Sequence, residues 1–302
     1  MKDNRLLEMR VFRAVAETGG FTAAATLLGA SQPFVSETLT ALERRLGVKL
    51  LHRSTRTQRL TVEGESFLAS CRRLLDEVEL AESAIRSSEP SGHLRVTAPR
   101  AFGLDQVVPR LPAFLQAHPG VSVELSLSDE LVHLIDDGFD VAVRMGRLPD
   151  SSLHSRRLCG LQRIVVASPS YVERHGQPEH PRQLAQHACL LWQGPMDHLN
   201  RWPFVVDGQA LEVTAQGRVR SDDGTVLYRA CVEGLGVMRL AEHLAVPALR
   251  RGDLVPLLAP FQAPDDTAIH AVFLPERRLV PRIRAFVDHL AAAFETPPWT
   301  LP

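Results

Sequence analysis

Gln32, Ser36, Glu37 and Thr40 fall on one side of a stretch whose other side is Val35, Leu39, Leu42 and Leu46. Directly after them come Arg44, Arg45, Lys49, Arg53, Arg56 and Arg59, six basic residues within sixteen positions and no acid among them. Amide and hydroxyl side chains match the donors and acceptors on base edges, and arginines match phosphate oxygens. A polar helix face followed at once by a basic cluster is therefore a chemistry of nucleic-acid reading. For Arg44 and Arg45 two readings stand: phosphate contacts, or a solvated helix end.

The elements that must carry these residues read as helices. Leu6, Leu7, Met9, Val11, Phe12, Val15 and Ala16 recur near helical spacing until Gly19-Gly20 stops the run. Thr22 is a cap for a short second helix ending at Leu28 and Gly29. Ser31 is a cap for a third, with Pro33 tolerated in its first turn and Gly47 as its stop. Two helices joined by a short glycine-containing turn predict a helix-turn-helix. Val48 to Leu51 and Arg53 to Leu60 predict a short β-ribbon with an arginine-bearing tip, the wing of a winged helix. Thr61 then caps a long helix reaching about Ser87, roughly 40 Å at 1.5 Å per residue. Phe67, Cys71, Leu74, Val78, Ala81 and Ile85 step along it by four and three, a heptad seam. Such a seam pairs with a second copy or packs on its own domain; pairing agrees with DNA read as two half-sites.

The overall charge hides this pattern. The chain has 302 residues with 34 basic and 35 acidic side chains, and residues 1–89 hold 13 and 12 of them. The basic cluster and the acids Asp76, Glu77, Glu79 and Glu82 cancel within one segment. With 45% apolar and 23% charged residues, a folded chain with more than one domain is expected. No apolar run reaches the ~18–20 residues of a membrane span, and Met1 to Arg13 lacks the apolar core of a signal peptide. A cytoplasmic protein is expected. Cys71, Cys159, Cys189 and Cys231 lie far apart and read as free thiols. His175, His180 and His187 read as surface residues, and no metal or cofactor site is expected.

Ser87 to Gly92 is polar and contains Pro and Gly, as domain boundaries do. Beyond it, strands at Leu94–Ala98, Ser122–Leu127 and Asp140–Arg144 alternate with helices after Pro99 and near Leu131–Asp136. The pattern resumes at Arg163–Ala167 and Gly236–Leu240. This predicts an α/β domain with a mainly parallel sheet, and two lobes with a cleft at the strand ends.

Ala14 to Ala25 (Ala-Val-Ala-Glu-Thr-Gly-Gly-Phe-Thr-Ala-Ala-Ala), Ser31-Gln32-Pro33-Phe34-Val35-Ser36 and Leu42 to Arg53 resemble the opening of LysR-type transcriptional regulators. So do Leu60 to Gly64, Gly92 to Val96, Gly138 to Gly146, Gly234 to Val237 and Arg282 to Asp288. The resemblance covers nearly the whole chain. It implies a winged helix-turn-helix at 1–61, a linker and dimerisation helix at 62–89 and a two-lobed, periplasmic-binding-protein-like (type 2) effector domain at 90–302. The first lobe would hold about 90–163 and 268–302, the second about 164–267. It also implies a homodimer or homotetramer that binds promoter DNA and a small-molecule effector, with RNA polymerase as a further candidate partner and the nucleoid as its place when bound. Glu37 stands where many members carry Arg or Lys, and glutamate accepts from cytosine N4 rather than donating to guanine.

Under this resemblance the DNA contacts are Ser31, Gln32, Pro33, Phe34, Ser36, Glu37, Thr40, Arg53, Arg56 and Arg59. Phe34 suits a thymine methyl, and Arg56 or Arg59 suits the minor groove. The effector contacts are Pro99, Arg100, Ala101, Phe102, Ser126, Ser128, Arg144, Ser168, Ser221, Asp222 and Arg239. Helix-start amides with arginines and serines point to a carboxylate-bearing metabolite. Arg239 takes a position more often apolar or proline in the family. The competing classes are an architectural DNA-binding protein without a ligand, a solute-binding protein and an enzyme. Against the last, G-x-S-x-G and the P-loop are missing, and Gly234-Leu235-Gly236 runs on to Arg239 instead of completing a dinucleotide fingerprint.

Overall fold

The computed structural model describes residues 4–53, 58–83, 89–130, 134, 137–146, 148 and 152–299. The chain forms two compact units, Met1–Ser88 and Glu89–Pro302.

The first unit runs α1 (Arg5–Thr18), α2 (Phe21–Leu28), α3 (Gln32–Leu46), β1 (Leu51–Arg53), β2 (Gln58–Leu60) and α4 (Val62–Ser83). Gly19, Gly29 and Gly47 end the three short helices in the left-handed conformation that a Cβ disfavours. Ser31 caps α3, its Oγ accepting from the Phe34 amide at 3.3 Å. The Thr22 cap is not formed: Gly20, extended at φ −172°, is the N-cap and Phe21 is already helical. Thr22 therefore falls one position inside the helix. β1 and β2 pair antiparallel, Leu51 opposite Leu60. Thr61 ties this ribbon to α4. Its hydroxyl donates to Lys49 O at 2.7 Å and accepts the Gly64 amide at 2.9 Å. A Cβ on Gly64 would lie 2.1 Å from Leu50 O, so only glycine lets α4 approach the ribbon. Val11, Phe12, Val15, Val35, Leu39 and Leu42 form the core with Leu50, Leu68 and Cys71.

The heptad seam divides. Cys71 is fully buried in that core and Phe67 packs against it, so both are used within the domain. Leu74 is 49% exposed, Val78 half-buried and Ala81 exposed. Ile85 lies outside the described residues.

The second unit is a two-lobed α/β domain. Its first lobe holds β3 (Gly92–Ala98), β4 (Val121–Leu127), β5 (Val141–Met145) and β6 (His154–Leu161). The helical run α5 (Arg100–Phe102) passes through a π-turn at Gly103–Val107 and a 3-10 turn at Val108–Arg110 into α6 (Leu111–Ala117). The chain then enters the second lobe with β7 (Arg163–Ala167), α7 (Pro169–His175), β8 (Leu190–Trp192), β9 (Arg201–Val206), β10 (Gln209–Thr214) and β11 (Val219–Ser221). That lobe continues with α8 (Gly224–Val232), β12 (Met238–Ala241), α9 (Glu242–Arg251) and β13 (Val255–Pro256). β14 (Thr267–Phe273) and α10 (Pro281–Ala293) return to the first lobe.

The first sheet has the order β4-β3-β5-β14-β6. β3 is parallel to β4 and β5, but β14 is antiparallel to both β5 and β6. The second lobe pairs β12 and β13 antiparallel to β7, and β8 parallel to β11. The sheets are thus mixed rather than mainly parallel: in the first, β14 re-enters from the other lobe and runs against its neighbours, and in the second β12 and β13 run against β7. The helix expected near Leu131–Asp136 lies mostly outside the described residues. Among the described residues no helix is long and apolar enough to cross a membrane.

Gln162 sits where the chain leaves the first lobe, and Asp265 where it returns. The Gln162 amide group joins the two: Nε2 donates to Asp265 O at 2.9 Å and Oε1 accepts the Asp265 amide at 3.0 Å. Glu242, at the start of α9, accepts the backbone N–H of Gln162 at 3.0 Å. These bonds make the double crossover a defined hinge.

Candidate nucleic-acid interface and effector cleft

Ser31, Gln32, Pro33, Phe34 and Glu37 are exposed on α3, while Ser36 and Thr40 are half-buried. Phe34 is 41% exposed, an aromatic ring on the first turn of the helix, where Ser31 takes the Phe34 and Val35 amides. The Thr40 hydroxyl donates to Ser36 O at 2.8 Å, as a helical threonine commonly does. Arg59 is exposed on β2. Arg56 and the Arg53 side chain lie outside what the structure describes. Arg45 is held by Glu8 of α1, with Nε 2.9 Å from Oε2, which favours a structural role over a phosphate contact. Arg44 is exposed.

The wing is set by a residue that the sequence reading missed. Glu43 is 3% exposed, and its Oε1 accepts the amides of Leu50 at 3.0 Å and Leu51 at 3.4 Å while Lys49 sits 2.7 Å from Oε2. Burial raises its pKa, but Lys49 and the two amides outweigh burial and hold the carboxyl below its ordinary range.

In the second unit several expected effector residues come together at one end of the lobes. Pro99 and Arg100 follow β3, and Ser128 follows β4, its amide donating to Ala98 O at 3.0 Å and its Oγ accepting from Glu130. The register Thr97 opposite Ala142 places Arg144 at the same end of the sheet. Burial pushes the Arg144 pKa down, and His270 of β14 is its cross-strand neighbour. Ser126 pairs with Thr97, whose buried hydroxyl has no hydrogen-bond partner among the described residues. From the second lobe, Ser221 accepts the Asp223 amide at 3.1 Å. Gly103 positions the arginine end: a Cβ there would meet the Leu127 side chain at 2.1 Å, so glycine lets the helical run lie on β4.

Three expected contacts have other work, and a fourth, Asp222, yields the cap to its neighbour. Phe102 is fully buried in an aromatic cluster with His243, Phe294 and Trp299 at 5.3–6.1 Å. Ser168 is 2% exposed and caps α7 through the Tyr171 amide. Asp222 is exposed; its neighbour Asp223 is the N-cap of α8, accepting from Thr225 at 2.7 Å. Arg239 lies 2.7 Å from Asp265 at the hinge, beside Arg163 at 3.0 Å. Burial raises the Asp265 pKa, but the Thr267 hydroxyl and the two guanidiniums outweigh it and keep the carboxylate charged. β12 places Arg239 opposite Val165 of β7, and β7 follows directly on the first crossover, which explains the hinge role.

All four cysteines are buried, and burial pushes their thiols up to about 11 or 12. Among the described residues no group of three His, Cys, Asp or Glu is arranged to hold a metal. His175 is exposed, whereas His180 caps a 3-10 turn and His187 bonds the Tyr171 hydroxyl.

Two family models match the chain: the bacterial regulatory helix-turn-helix protein, lysR family, over residues 6–65, and the LysR substrate binding domain over residues 87–295. An HTH-type transcriptional regulator of Xanthomonas campestris pv. campestris is 37% identical over 93% of this chain and 83% of its own. The HTH-type transcriptional regulator PtxR of Pseudomonas aeruginosa is 35% identical over 98% and 95%. The solved structure of CrgA, a LysR-type transcriptional regulator from Neisseria meningitidis, superposes with a TM-score of 0.65 at 32% identity, covering 96% of this chain and 99% of that one. The chain thus belongs to the LysR-type transcriptional regulators, which are not enzymes, and joins a DNA-binding helix-turn-helix unit to an effector-binding domain.

Proposed function

We propose that the chain binds promoter DNA as a homodimer or homotetramer and changes its grip when a small carboxylate-bearing metabolite enters the interlobe cleft. The observation that carries the effector reading is that Arg100 of the first lobe meets Asp223 of the second at 2.8 Å, with Ser128 following β4 on one side and Ser221 bonded to the Asp223 amide on the other. Two lobes joined by a double crossover rotate more easily than they deform internally, and a ligand that prefers one arrangement shifts the population towards it. Such a rotation alters the spacing of the DNA-binding units in an oligomer. Base contact falls to Gln32, Pro33, Phe34, Ser36 and Glu37, phosphate contact to Arg53 and Arg56, and the minor groove to Arg56 or Arg59. Leu74, Val78 and Ala81 are the part of the α4 seam left for a second copy. RNA polymerase is a partner of the DNA-bound state on the nucleoid in the bacterial cytoplasm. Relatives include an activator in Escherichia coli and a repressor in Pseudomonas aeruginosa, so the sign of regulation is not carried over.

Footprinting of the intergenic DNA beside the gene, with and without metabolites of the neighbouring gene products, tests this. A footprint that shifts or shortens with one organic acid is expected. A footprint indifferent to every metabolite favours a ligand-independent architectural protein, and no footprint at all removes the promoter reading.

A further inference from the structure

The cleft side of the effector domain is already bridged by a carboxylate of the protein. Asp129 lies two residues beyond the end of β4, in the first lobe. Its Oδ1 accepts the backbone amide of Arg100 at 3.0 Å, in the same lobe. Its Oδ2 accepts the backbone amide of Gly224 at 3.0 Å, the first residue of α8 in the second lobe. One side chain thus joins the starts of two helical runs that belong to different lobes. Beside it Arg100 Nε is 2.8 Å from Asp223 Oδ2, a second bond across the cleft. The other Asp223 oxygen faces the amides of Thr225 and Val226, so Asp223 is fixed from its own side while it holds Arg100.

The packing is fitted to this arrangement. A Cβ on Gly224 would stand 2.8 Å from the Trp192 ring and 3.9 Å from Asp129 Oδ2. Glycine thus lets the ring, the helix start and the carboxylate meet. The groups that would greet an incoming anion, the two amides and the Arg100 guanidinium, all face protein carboxylates instead. Asp129, Arg100 and Asp223 together carry one net negative charge, so a second anion could join them only against repulsion.

We propose that Asp129 is an internal anion that latches the two lobes in the ligand-free protein and occupies the seat an effector carboxylate needs. The latch rests on reading this cleft as the effector site. An acid of the right shape enters by taking over the Arg100 and Gly224 amides, Asp129 turns out to solvent, and the lobes then settle in the arrangement the ligand prefers. Selectivity follows from competition. A simple monocarboxylate replaces Asp129 without gain, whereas a ligand with further contacts to Ser128, Ser221 or Trp192 displaces it.

The test is hydrogen exchange on the full-length protein, comparing wild type with Asp129→Ala and Asp129→Asn and using sodium acetate as the probe against sodium chloride of equal ionic strength. In Asp129→Ala the amides of segment 222–227 exchange faster by about tenfold or more. Acetate, and not chloride, restores their protection, while wild type responds to neither salt. Asp129→Asn, with one acceptor oxygen for two amides, falls between. Unchanged exchange of β7 shows that the lobe remains folded. If segment 222–227 exchanges as in wild type, Asp129 is no latch. If its exchange rises but acetate has no effect beyond chloride, the seat is not an anion seat. Both results overturn the proposal. A footprint that ignores all metabolites, found together with acetate-reversible exchange, removes the effector reading and keeps the latch; the opposite pair does the reverse.

Discussion

The carboxylate of Glu43, on α3, accepts the backbone amide of Leu50 at 3.0 Å, just before the wing begins. Helix α3 and the wing are therefore tied together by a buried charge whose partners are two amides and Lys49.

Glu43→Ala should lower the stability of the DNA-binding unit by about 1–3 kcal/mol, since it strands two buried amides. Because the folded pKa lies below the ordinary 4.5, the contribution is complete above that value and is lost as pH falls through the folded one. Urea unfolding followed between pH 7 and pH 3 reads this. Glu43→Gln should show a flatter acid limb. An equal slope in both proteins would assign the acid sensitivity elsewhere.

The two kinds of DNA contact separate by salt. Each phosphate contact adds about 0.9 to the slope of log affinity against log salt. Arg53→Ala should flatten that slope and weaken all sequences alike. Glu37→Ala should leave the slope intact and change the preferred base at one position, worth about 1–3 kcal/mol of discrimination. Binding titrations at several salt concentrations, on operator variants, distinguish them. An Arg53→Ala protein with an unchanged slope and altered sequence preference would take Arg53 off the phosphates.

Much of this unit was legible because its signals are local. Gly19, Gly29 and Gly47 stop helices, Ser31 and Thr61 cap them, and Val35, Leu39 and Leu42 face inward at helical spacing. Part of what escaped reading depends on partners far away in the chain. Asp129 and Gly224 are separated by 95 positions, and nothing around either marks the bond between them. Asp222 and Asp223 are adjacent and alike in type, and only the backbone decides that the second caps α8. The heptad spacing could not divide the seam, because a helix packed on its own domain shows the same spacing as one packed on a partner.

The divided seam predicts unequal substitutions. Leu74→Glu should break the oligomer while leaving the thermal midpoint near that of wild type, because its side chain is half exposed. Cys71→Glu should unfold the DNA-binding unit, since a charge without a partner in the core costs several kcal/mol. Sedimentation and thermal melts read both. A Leu74→Glu protein that keeps its mass would move the interface off α4.

His243 gives the effector domain an acid limit of its own. It is 3% exposed, both ring nitrogens are without hydrogen-bond partners among the described residues, and its ring meets Phe102 and Trp299 edge-on. Burial, with Arg163 nearby, pushes its pKa down to about 3, while the unfolded chain takes up a proton near the ordinary 6.5. Stability is therefore full above pH 6.5 and falls as pH drops from there towards 3. His243→Phe, which keeps the ring packing, should flatten the fall between pH 6.5 and 5 in urea unfolding of this domain. An unchanged fall would mean that His243 is not its source.

Arg239 decides between two roles with one variant. As a hinge strut it neutralises Asp265 together with Arg163, and burial lowers its own pKa, a strain that Asp265 offsets. Arg239→Met keeps the bulk and removes the charge, leaving Asp265 with Arg163 alone. The unfolding free energy of the effector domain should fall by about 1–3 kcal/mol, the range for a lost hydrogen bond to a charged group. Ligand affinity should change little, because the guanidinium is occupied at the crossover rather than offered to the cleft. Calorimetric titration with whichever acid shifts the footprint, set beside a urea melt, measures both quantities on the same protein. A loss of ligand binding with an unchanged melt would return Arg239 to the cleft; a weaker hinge with intact binding fixes it where the strands cross.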